Sequence, residues 1–215
     1  MKPKKPRNKF YWFYFLCKIL AWPSWFIVYH RKYHYMPDAF KRNKIKGGGI
    51  IVCNHNHWIE PPLVAYTFPF RSVCSIIANI VVRSRKGRWF YDHINSVFID
   101  RDNFDWQDLK KIMDKLRQEQ LVLIFPESKI NLTNELLEFK DGTAVLAYRA
   151  NAPVYPIYIH PNHKHLHNQH IMIGKPINLR DHFDKIDQNS IKAMTKMLYD
   201  YVALMKKTLE EEIKK

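Results

Sequence analysis

The 215-residue sequence is poor in three kinds of residue that would each point to a particular architecture. Its three cysteines, Cys17, Cys53 and Cys74, are too few and too scattered for a disulfide framework or a zinc site. We interpret them as reduced thiols, which favours a protein that faces the cytosol. Six glycines, three of them at 47–49, supply no glycine-rich phosphate loop. Acids are scarce as well, since 20 Asp and Glu stand against 35 Lys and Arg.

The excess of basic residues gives a formal net charge of +15 and indicates an anionic partner. Nucleic acid, an acidic membrane surface and phosphorylated substrates all fit this charge. The composition, 47% hydrophobic and 26% charged, excludes a disordered chain and a collagen-like repeat. A chain of this length favours one domain, which would bury about 70% of its unfolded surface.

Residues 10–29 form the most apolar stretch and contain a single charge, Lys18. A spanning helix needs about 20 apolar residues, so the length is borderline. Lys18 near the centre of a span would cost ~2.5–3.5 kcal/mol. Trp12, Trp22 and Trp25 are of the type that settles at the level of lipid headgroups. We therefore expect an anchor that lies in one leaflet, with a buried first helix and a true span as alternatives, and no cleaved signal peptide.

Basic residues flank the aromatic stretch on both sides and suit anionic headgroups. They are Lys2, Lys4, Lys5, Arg7 and Lys9 before it, and Arg31, Lys32, Lys41, Arg42, Lys44 and Lys46 after it. The sequence thus predicts a basic, aromatic membrane-anchoring segment over 1–46, on the cytoplasmic face of a membrane.

Strand-like and helix-like segments alternate in the remainder, 47–215. Short apolar runs predict strands at 50–53, 73–77, 97–99, 121–125, 154–159 and 171–173. Apolar residues at helical spacing predict helices from Asp105 to Leu116, over 142–151 and over 190–215. This alternation predicts a single α/β domain with a mixed, mainly parallel sheet flanked by helices, preceded by the anchoring helical segment.

A histidine and an acid follow the first predicted strand. His55 stands just past the strand end, where open α/β sheets usually bind ligands. Glu60 comes five positions later, after a turn into a helix, and can fold back on the imidazole. The pair is like the base and orienter of a hydrolase triad without its serine, which suits a substrate that brings its own hydroxyl. On spacing alone, a purely structural pair is the alternative.

Four blocks in order resemble the lysophosphatidic acid acyltransferase family, the glycerolipid acyltransferases with an H-x4-D motif. The blocks are 54–60 (NHNHWIE), 97–101 (VFIDR), 125–128 (FPES) with 139–142 (FKDG) downstream, and 152–157 (APVYPI). Residues 173–177 (IGKPI) resemble the strand that follows the fourth block. The resemblance covers roughly 49–177, and the joint order and spacing of these short motifs make a chance match improbable.

The resemblance implies a role for each matching residue. His55 would be the general base that takes a proton from a glycerol hydroxyl as it attacks an acyl thioester, and Glu60 would hold the imidazole tautomer. Arg101 would contact the phosphate of the acceptor. The other residues implied at the acceptor site are Glu127, Ser128, Lys129 and Lys140. The resemblance implies no metal and no cofactor, because acyl-CoA or acyl-carrier protein serves as co-substrate.

Two departures from the family pattern bear on the acceptor. The acid of the first motif is Glu60 instead of Asp, one methylene longer. Ser128, Lys129 and Ile130 stand where Gly, Thr and Arg are usual. Lys129 or Lys140 could supply the missing charge, but a lysine lacks the bidentate fork of arginine. We expect 1-acylglycerol-3-phosphate as the acceptor, with another lysophospholipid or lipid alcohol left open.

Other functions fit parts of the sequence. A nucleic-acid-binding protein would explain the charge and the aromatics, but the basic residues concentrate around an apolar run and no RNA-binding signature is present. A catalytically impaired lipid-binding relative would explain the altered motifs. The histidines between 160 and 170 match no zinc pattern, and we expect a polar connection there. The expected partners are an acyl thioester donor, a lysophospholipid and an anionic membrane surface, without nucleic acid.

Overall fold

The computed structural model describes residues 11–101, 103, 105–161 and 167–214, and one sheet forms its centre. The strands are β1 (Tyr29–Tyr35), β2 (Gly49–Cys53), β3 (Val73–Ala78), β4 (Ser96–Ile99), β5 (Leu121–Ile124), β6 (Val154–Ile159) and β7 (His167–Ile173). The helices are α1 (Tyr11–Val28), α2 (Glu60–Thr67), α3 (Arg85–His93), α4 (Trp106–Arg117), α5 (Gly142–Ala150) and α6 (Gln188–Lys214). Short 3₁₀ turns follow β3, at Asn79–Val81, and precede α6, at Leu179–Asp181.

The seven strands lie in the order β1-β7-β6-β2-β5-β3-β4. Strand β7 runs antiparallel to β6, and every other neighbouring pair is parallel. This confirms the predicted fold class, a mixed and mainly parallel sheet flanked by helices. All six predicted strands are present, although β7 begins four residues earlier than its apolar run because its first residues are polar and lie near the edge of the sheet.

Strand β2 lies at the centre and serves both faces of the sheet. Ile50 and Val52 pack in the core under α4, α5 and α6, whereas Ile51 and Cys53 pack in the core under α2. A parallel strand covered on both faces is a continuous apolar run, which is why it was recognisable in the sequence. The strand begins at Gly49, where a Cβ would collide with the ring of Tyr155.

The sequence did not predict β1 or α3. Strand β1 (YHRKYHY) reads as part of the basic flank, but it pairs in parallel with β7 along its whole length. The segment 1–46 therefore contributes a strand to the sheet as well as helix α1. Helix α3 (RKGRWFYDH) has no buried residue, and its aromatic residues Trp89, Phe90 and Tyr91 are consecutive instead of recurring at the helical spacing that identifies the longer helices. The basic residues before position 11 lie outside the described part of the chain.

Helix α1 packs against the domain through a polar stripe. Tyr14, Lys18 and Trp25 face inward at helical spacing, and the hydroxyl of Tyr14 accepts a hydrogen bond from Val73 N. The ammonium of Lys18 donates to the carbonyl of Phe68, just past the end of α2, at 2.7 Å. Burial, and to a smaller extent the nearby Arg31, lowers the pKa of Lys18 from 10.5 to about 8. The single charge of the aromatic stretch is therefore held inside the protein.

The opposite face of α1 is apolar and exposed. Its exposed residues are Trp12, Leu16, Ile19, Leu20, Trp22, Phe26 and Ile27. This inverts the usual pattern of a surface helix, in which the apolar stripe faces the core. Within the described residues, no helix combines the length and the hydropathy that a membrane span requires.

Candidate active site

The candidate residues gather at one edge of the sheet. Strands β2, β5, β3 and β4 are adjacent and parallel, so their carboxyl ends meet at the same edge. His55 follows β2, Phe125 and Glu127 follow β5, and Arg101 follows β4. The first, second and third sequence blocks are thereby brought to one side of the molecule by topology alone.

His55 and Glu60 are hydrogen-bonded as the spacing suggested. Nδ1 of His55 lies 2.9 Å from Oε2 of Glu60. The carboxylate is fully buried, while the imidazole is 17% exposed. A carboxylate at this position accepts a hydrogen bond from a protonated Nδ1, which leaves a lone pair on Nε2. The arrangement is that of a base with its orienting acid.

Local backbone geometry places Glu60. It is the first residue of α2, and two prolines follow it at positions suited to the first turn of a helix. Both carboxylate oxygens accept from the backbone N–H of Asn56, each at 2.9 Å. The loop 54–59 is therefore folded around the carboxylate, and a side chain one methylene longer than aspartate fits this loop.

The imidazole is also fixed from the side of the third block. The rings of His55 and Phe125 are stacked, with centroids 3.9 Å apart and planes at 20°. Because Phe125 follows β5 and His55 follows the neighbouring β2, this contact is a direct result of strand order. A stacked ring allows little rotation of the imidazole about its Cβ–Cγ bond.

Glu127 lies beneath the site and is 2% exposed. Its carboxylate accepts hydrogen bonds from the backbone N–H groups of His55, at 3.1 Å, and Leu137, at 3.2 Å, and from the side-chain amide of Asn131, at 3.0 Å. Burial raises the pKa of Glu127, and these three hydrogen bonds oppose that rise. The carboxylate therefore holds two loops together, and its contact with the acceptor stays a prediction.

An asparagine network beside the pair was not predicted from the sequence. Asn131 N donates to the carbonyl of His55 at 2.6 Å, and the amide of Asn56 donates to the carbonyls of Asn131 and Thr133 at 3.0 and 2.8 Å. Asn131 lies in an irregular segment after the third block, where no periodicity marks it. Asn54 in turn joins β2 to β6 through two hydrogen bonds of 2.8 Å with the backbone of Ile159.

The basic candidates differ in their surroundings. Nη1 of Arg101 donates to the carbonyl of Ser128 at 2.9 Å, which joins the second block to the third. Ser128 has a φ of 58°, in the left-handed region that favours glycine, and glycine is the usual residue of the family there. Lys129 and Lys140 are exposed. The backbone N–H of Lys140 donates to the carbonyl of Pro126 at 2.9 Å, which returns the 139–142 block to the third block.

The histidine-rich connection between β6 and β7 is only partly described. His163 and His165 lie outside the described residues. Among the described residues, no group of three or more His, Cys, Asp or Glu side chains is placed to hold a metal ion.

Comparison with known proteins assigns the chain to a family. Residues 28–160, more than half of the chain, match the acyltransferase family. The chain belongs to this family. The matched range runs from the end of α1 to the end of β6 and contains His55, Glu60, Arg101, Glu127 and Lys140. It confirms the recognition made from the four blocks.

Individual relatives agree with the family assignment. The chain is 27% identical over 122 residues to a probable 1-acyl-sn-glycerol-3-phosphate acyltransferase of Mycoplasma pneumoniae, covering 54% of this chain and 46% of that protein. The corresponding protein of Mycoplasma genitalium is 27% identical over 115 residues, 51% of this chain and 43% of that one. The chain thus spans about half the length of these curated relatives.

A solved structure has the same fold. The crystal structure of PlsC, the 1-acyl-sn-glycerophosphate acyltransferase of Thermotoga maritima, superposes with a TM-score of 0.61 at 17% identity. The superposition covers 86% of this chain and 73% of that chain. At this identity the likeness concerns the fold.

Proposed function

We propose that this protein transfers a fatty acyl group from an acyl thioester to a glycerol hydroxyl of a lysophospholipid, with His55 as the general base. The observation that carries the proposal is the hydrogen bond of 2.9 Å between Nδ1 of His55 and the buried Glu60, at the carboxyl edge of the sheet. It directs the lone pair of Nε2 away from the carboxylate. Family membership and the curated 1-acylglycerol-3-phosphate acyltransferase relatives support the same reaction.

The reaction balances with one imidazole. Nε2 of His55 takes the proton of the acceptor hydroxyl as its oxygen attacks the thioester carbonyl. The carbon–sulfur bond then breaks, and the thiol leaves with the proton that the imidazolium returns. Glu60 stabilises the imidazolium between these two steps. The thioester is already a reactive acyl donor, so acyl-CoA or acyl-carrier protein serves as co-substrate and no resident cofactor is required.

Arg101 is proposed to bind the phosphate of the acceptor. Strand β4 is three strands away from β2, a separation of roughly 14 Å at the usual strand spacing. The hydrogen bond from Arg101 to the carbonyl of Ser128 turns the guanidinium back toward the loop after β5, next to His55. A guanidinium presents the planar fork that recognises a phosphate oxygen pair. We therefore propose 1-acylglycerol-3-phosphate as the acceptor.

A membrane surface is the proposed location of the reaction. The exposed apolar face of α1 is rich in tryptophan and phenylalanine, which partition to the interface, while its only charge, Lys18, faces the protein. The acceptor and its product are themselves membrane lipids. The protein would therefore lie in one leaflet by α1 and act on lipid that enters from that leaflet.

His55→Ala tests the proposal. Purified protein, mixed with an acyl-CoA and 1-acylglycerol-3-phosphate, is expected to release free thiol and form diacylated product detected by mass spectrometry. The substitution should lower kcat by about 10²–10⁴-fold, the usual contribution of a general base. His182→Ala, at an exposed histidine far along the chain, is the matched control.

Two results would contradict the proposal. If the His55→Ala variant turns over as fast as the control variant, His55 is not the general base. Wild-type protein that binds the lysophospholipid without releasing thiol from acyl-CoA or acyl-carrier protein would instead indicate a catalytically impaired relative. Monoacylglycerol, which has the hydroxyl without the phosphate, serves as the comparison acceptor, and equal turnover with it would exclude a phosphate site.

A further inference from the structure

A second exposed apolar surface lies beside α1. It consists of the 3₁₀ turn Asn79–Val81 and helix α3, here called the 79–93 segment. Ile80, Val81 and Trp89 in it are 61%, 70% and 55% exposed. A soluble surface rarely leaves a turn and a helix with this many large apolar side chains in water, and such patches mark contact sites.

The 79–93 segment is continuous with the exposed face of α1. The ring of Phe13 on α1 contacts the rings of Trp89, Phe90 and His93, with centroids 5.8, 6.4 and 5.9 Å apart. Trp89 and His93 are stacked on each other at 4.0 Å. Since Trp12 and Leu16 are exposed on the neighbouring turns of α1, the aromatic surface runs from one helix to the other.

Exposed basic residues accompany these apolar side chains. Arg83, Arg85 and Lys86 are solvent-exposed, and no carboxylate among the described residues pairs with them. Unpaired cations among exposed tryptophan, isoleucine and valine side chains complement an anionic lipid surface, whose headgroups attract the charge while its acyl boundary accepts the apolar groups. A nucleic acid would use the charge but would leave Ile80 and Val81 in water.

A membrane bound to the 79–93 segment would also lie near His55, because both are at the same edge of the sheet. Strand β3 is parallel to β2 and ends at Ala78, so the turn 79–81 lies at the same edge of the sheet as His55. Two strand spacings, roughly 10 Å, separate β3 from β2. A membrane that touches both α1 and the turn would therefore lie close to the imidazole.

We propose that the 79–93 segment is a second membrane-docking element, which binds an anionic lipid surface together with α1 and holds the carboxyl edge of the sheet against it. The inference rests on the proposed membrane association of α1. It adds a contact outside the 1–46 segment, and it fixes the orientation of the domain instead of leaving it tethered by one helix.

Vesicle sedimentation of the full chain tests the proposal, with phosphatidylglycerol–phosphatidylcholine vesicles compared with phosphatidylcholine alone. Arg85→Gln/Lys86→Gln should weaken binding to the anionic vesicles about tenfold or more at low salt, and the effect should shrink as salt is raised. Trp89→Ala should weaken binding to both vesicle types about tenfold, because an apolar side chain is lost from the interface. The controls are Lys110→Gln/Lys192→Gln and Trp106→Ala, which remove exposed residues of the same kinds from helices on the other face of the sheet.

The outcomes separate this inference from the proposed function. If the wild type binds vesicles and the variants of the 79–93 segment sediment like the control variants, the segment is not a second docking element. The proposed association of α1 would then be unaffected. Wild-type protein that sediments with neither vesicle type would overturn both. Loss of single-stranded RNA binding in Arg85→Gln/Lys86→Gln, with vesicle binding unchanged, would show that the surface binds nucleic acid and would also overturn the inference. Circular dichroism checks that each variant is folded.

Discussion

The acid of the His55–Glu60 pair has a side-chain length that matches its loop. Both oxygens of Glu60 accept from Asn56 N, and one of them also bonds Nδ1 of His55. An aspartate on the same backbone would withdraw the carboxylate by about 1.5 Å, the length of one carbon–carbon bond. The loop 54–59 and its acid are therefore matched to each other in this chain, and the family's usual residue would be the poorer one here.

Glu60→Asp and Glu60→Gln are predicted to reduce turnover for different reasons. Glutamine keeps the length but can donate a hydrogen bond to Nδ1, which favours the wrong tautomer, and a loss of about 10⁴-fold in kcat is expected. Aspartate keeps the charge but places it farther from Nδ1, and a loss of about 10²-fold in kcat is expected. Steady-state thiol release measures both, with Glu138→Gln at an exposed site as the control. A glutamine variant as active as the aspartate variant would contradict the proposed orienting role.

Ser128 occupies a backbone conformation that suits glycine, with φ at 58°. An L-residue there costs roughly 1–2 kcal/mol, part of which glycine loses again through its greater freedom in the unfolded chain. Ser128→Gly is therefore predicted to raise the free energy of unfolding by about 1 kcal/mol. Ser128→Ala is the matched control, because alanine keeps the Cβ and should give no gain. Urea denaturation that finds the two variants equally stable would count against strain at this position.

At the scale of elements, the sequence-based predictions succeeded where a segment has one simple pattern. Strands such as β2 and β5 are covered on both faces and read as uninterrupted apolar runs. Strand β1 alternates charged, aromatic and histidine residues, and its pairing with β7 comes from a partner more than 130 residues away in the sequence. No local pattern encodes such a partner, so β1 was hidden in the basic flank.

Helix α1 was recognised as a helix, but the direction of its faces was not. Composition suggests that Lys18 opposes burial, whereas the structure uses it to bind the carbonyl of Phe68 at the end of α2. A cation beside the carbonyls that end a helix is favourable for the helix dipole as well. The apolar residues are thereby left on the outer face, and this exposed face is the reason that we propose a membrane contact for α1.

The pH dependence of stability is predicted to report this burial of Lys18. Its pKa is about 8 in the folded protein, against an ordinary value of 10.5. Between these values the unfolded chain binds the additional proton, so the contribution of Lys18 to stability rises as the pH increases from about 8. The difference in unfolding free energy between wild type and Lys18→Met should therefore move in favour of wild type from pH 7.5 to 9.5.

That measurement needs a control at an exposed lysine and a neighbouring tyrosine that does not titrate over the same pH range. Lys110→Met, at an exposed lysine, should differ from wild type by the same amount at both pH values. Burial raises the pKa of Tyr66, whose ring centroid lies 5.8 Å from the ammonium of Lys18, so this phenol stays neutral within the window. A constant difference between Lys18→Met and wild type would show that the ammonium is as well solvated as in the unfolded chain.

For the whole molecule, the sequence predicted which residues gather at the site better than it predicted the hydrogen bonds that hold them in place. The order of the blocks with the alternation of strands and helices was sufficient to bring His55, Arg101 and Glu127 to one edge. The hydrogen bonds of Asn131 and the inward position of Glu127 depend on how the irregular segment 125–141 folds, and side chains in such segments follow no period. The site was therefore predictable as a set of residues, whereas the hydrogen bonds that hold those residues in place were not.

Strands β1 and β7 and helix α6 meet at a titratable cluster. His34 on β1 lies between the carboxylate of Glu212 on α6 and His170 on β7, with 3.0 Å between Nε2 of His34 and Nδ1 of His170. Only one proton fits between these two nitrogens. Burial lowers the pKa of His170, and the neighbouring His34, Lys32 and His160 lower it further. His170 therefore stays neutral in the folded protein at a pH where it is protonated in the unfolded chain.

Acid is accordingly predicted to loosen this junction of β1, β7 and α6. Stability that depends on neutral His170 is complete above its ordinary pKa of 6.5 and is lost as the pH falls below it, because the unfolded chain takes up the proton first. The unfolding free energy of wild type should fall from pH 7 to pH 5, and His170→Gln, which cannot gain a charge, should show a shallower fall. His182→Gln removes an exposed histidine and should keep the wild-type slope. If urea denaturation gives the same slope for His170→Gln and wild type, the pKa of His170 is not lowered in the folded protein and the predicted acid sensitivity of this junction is wrong.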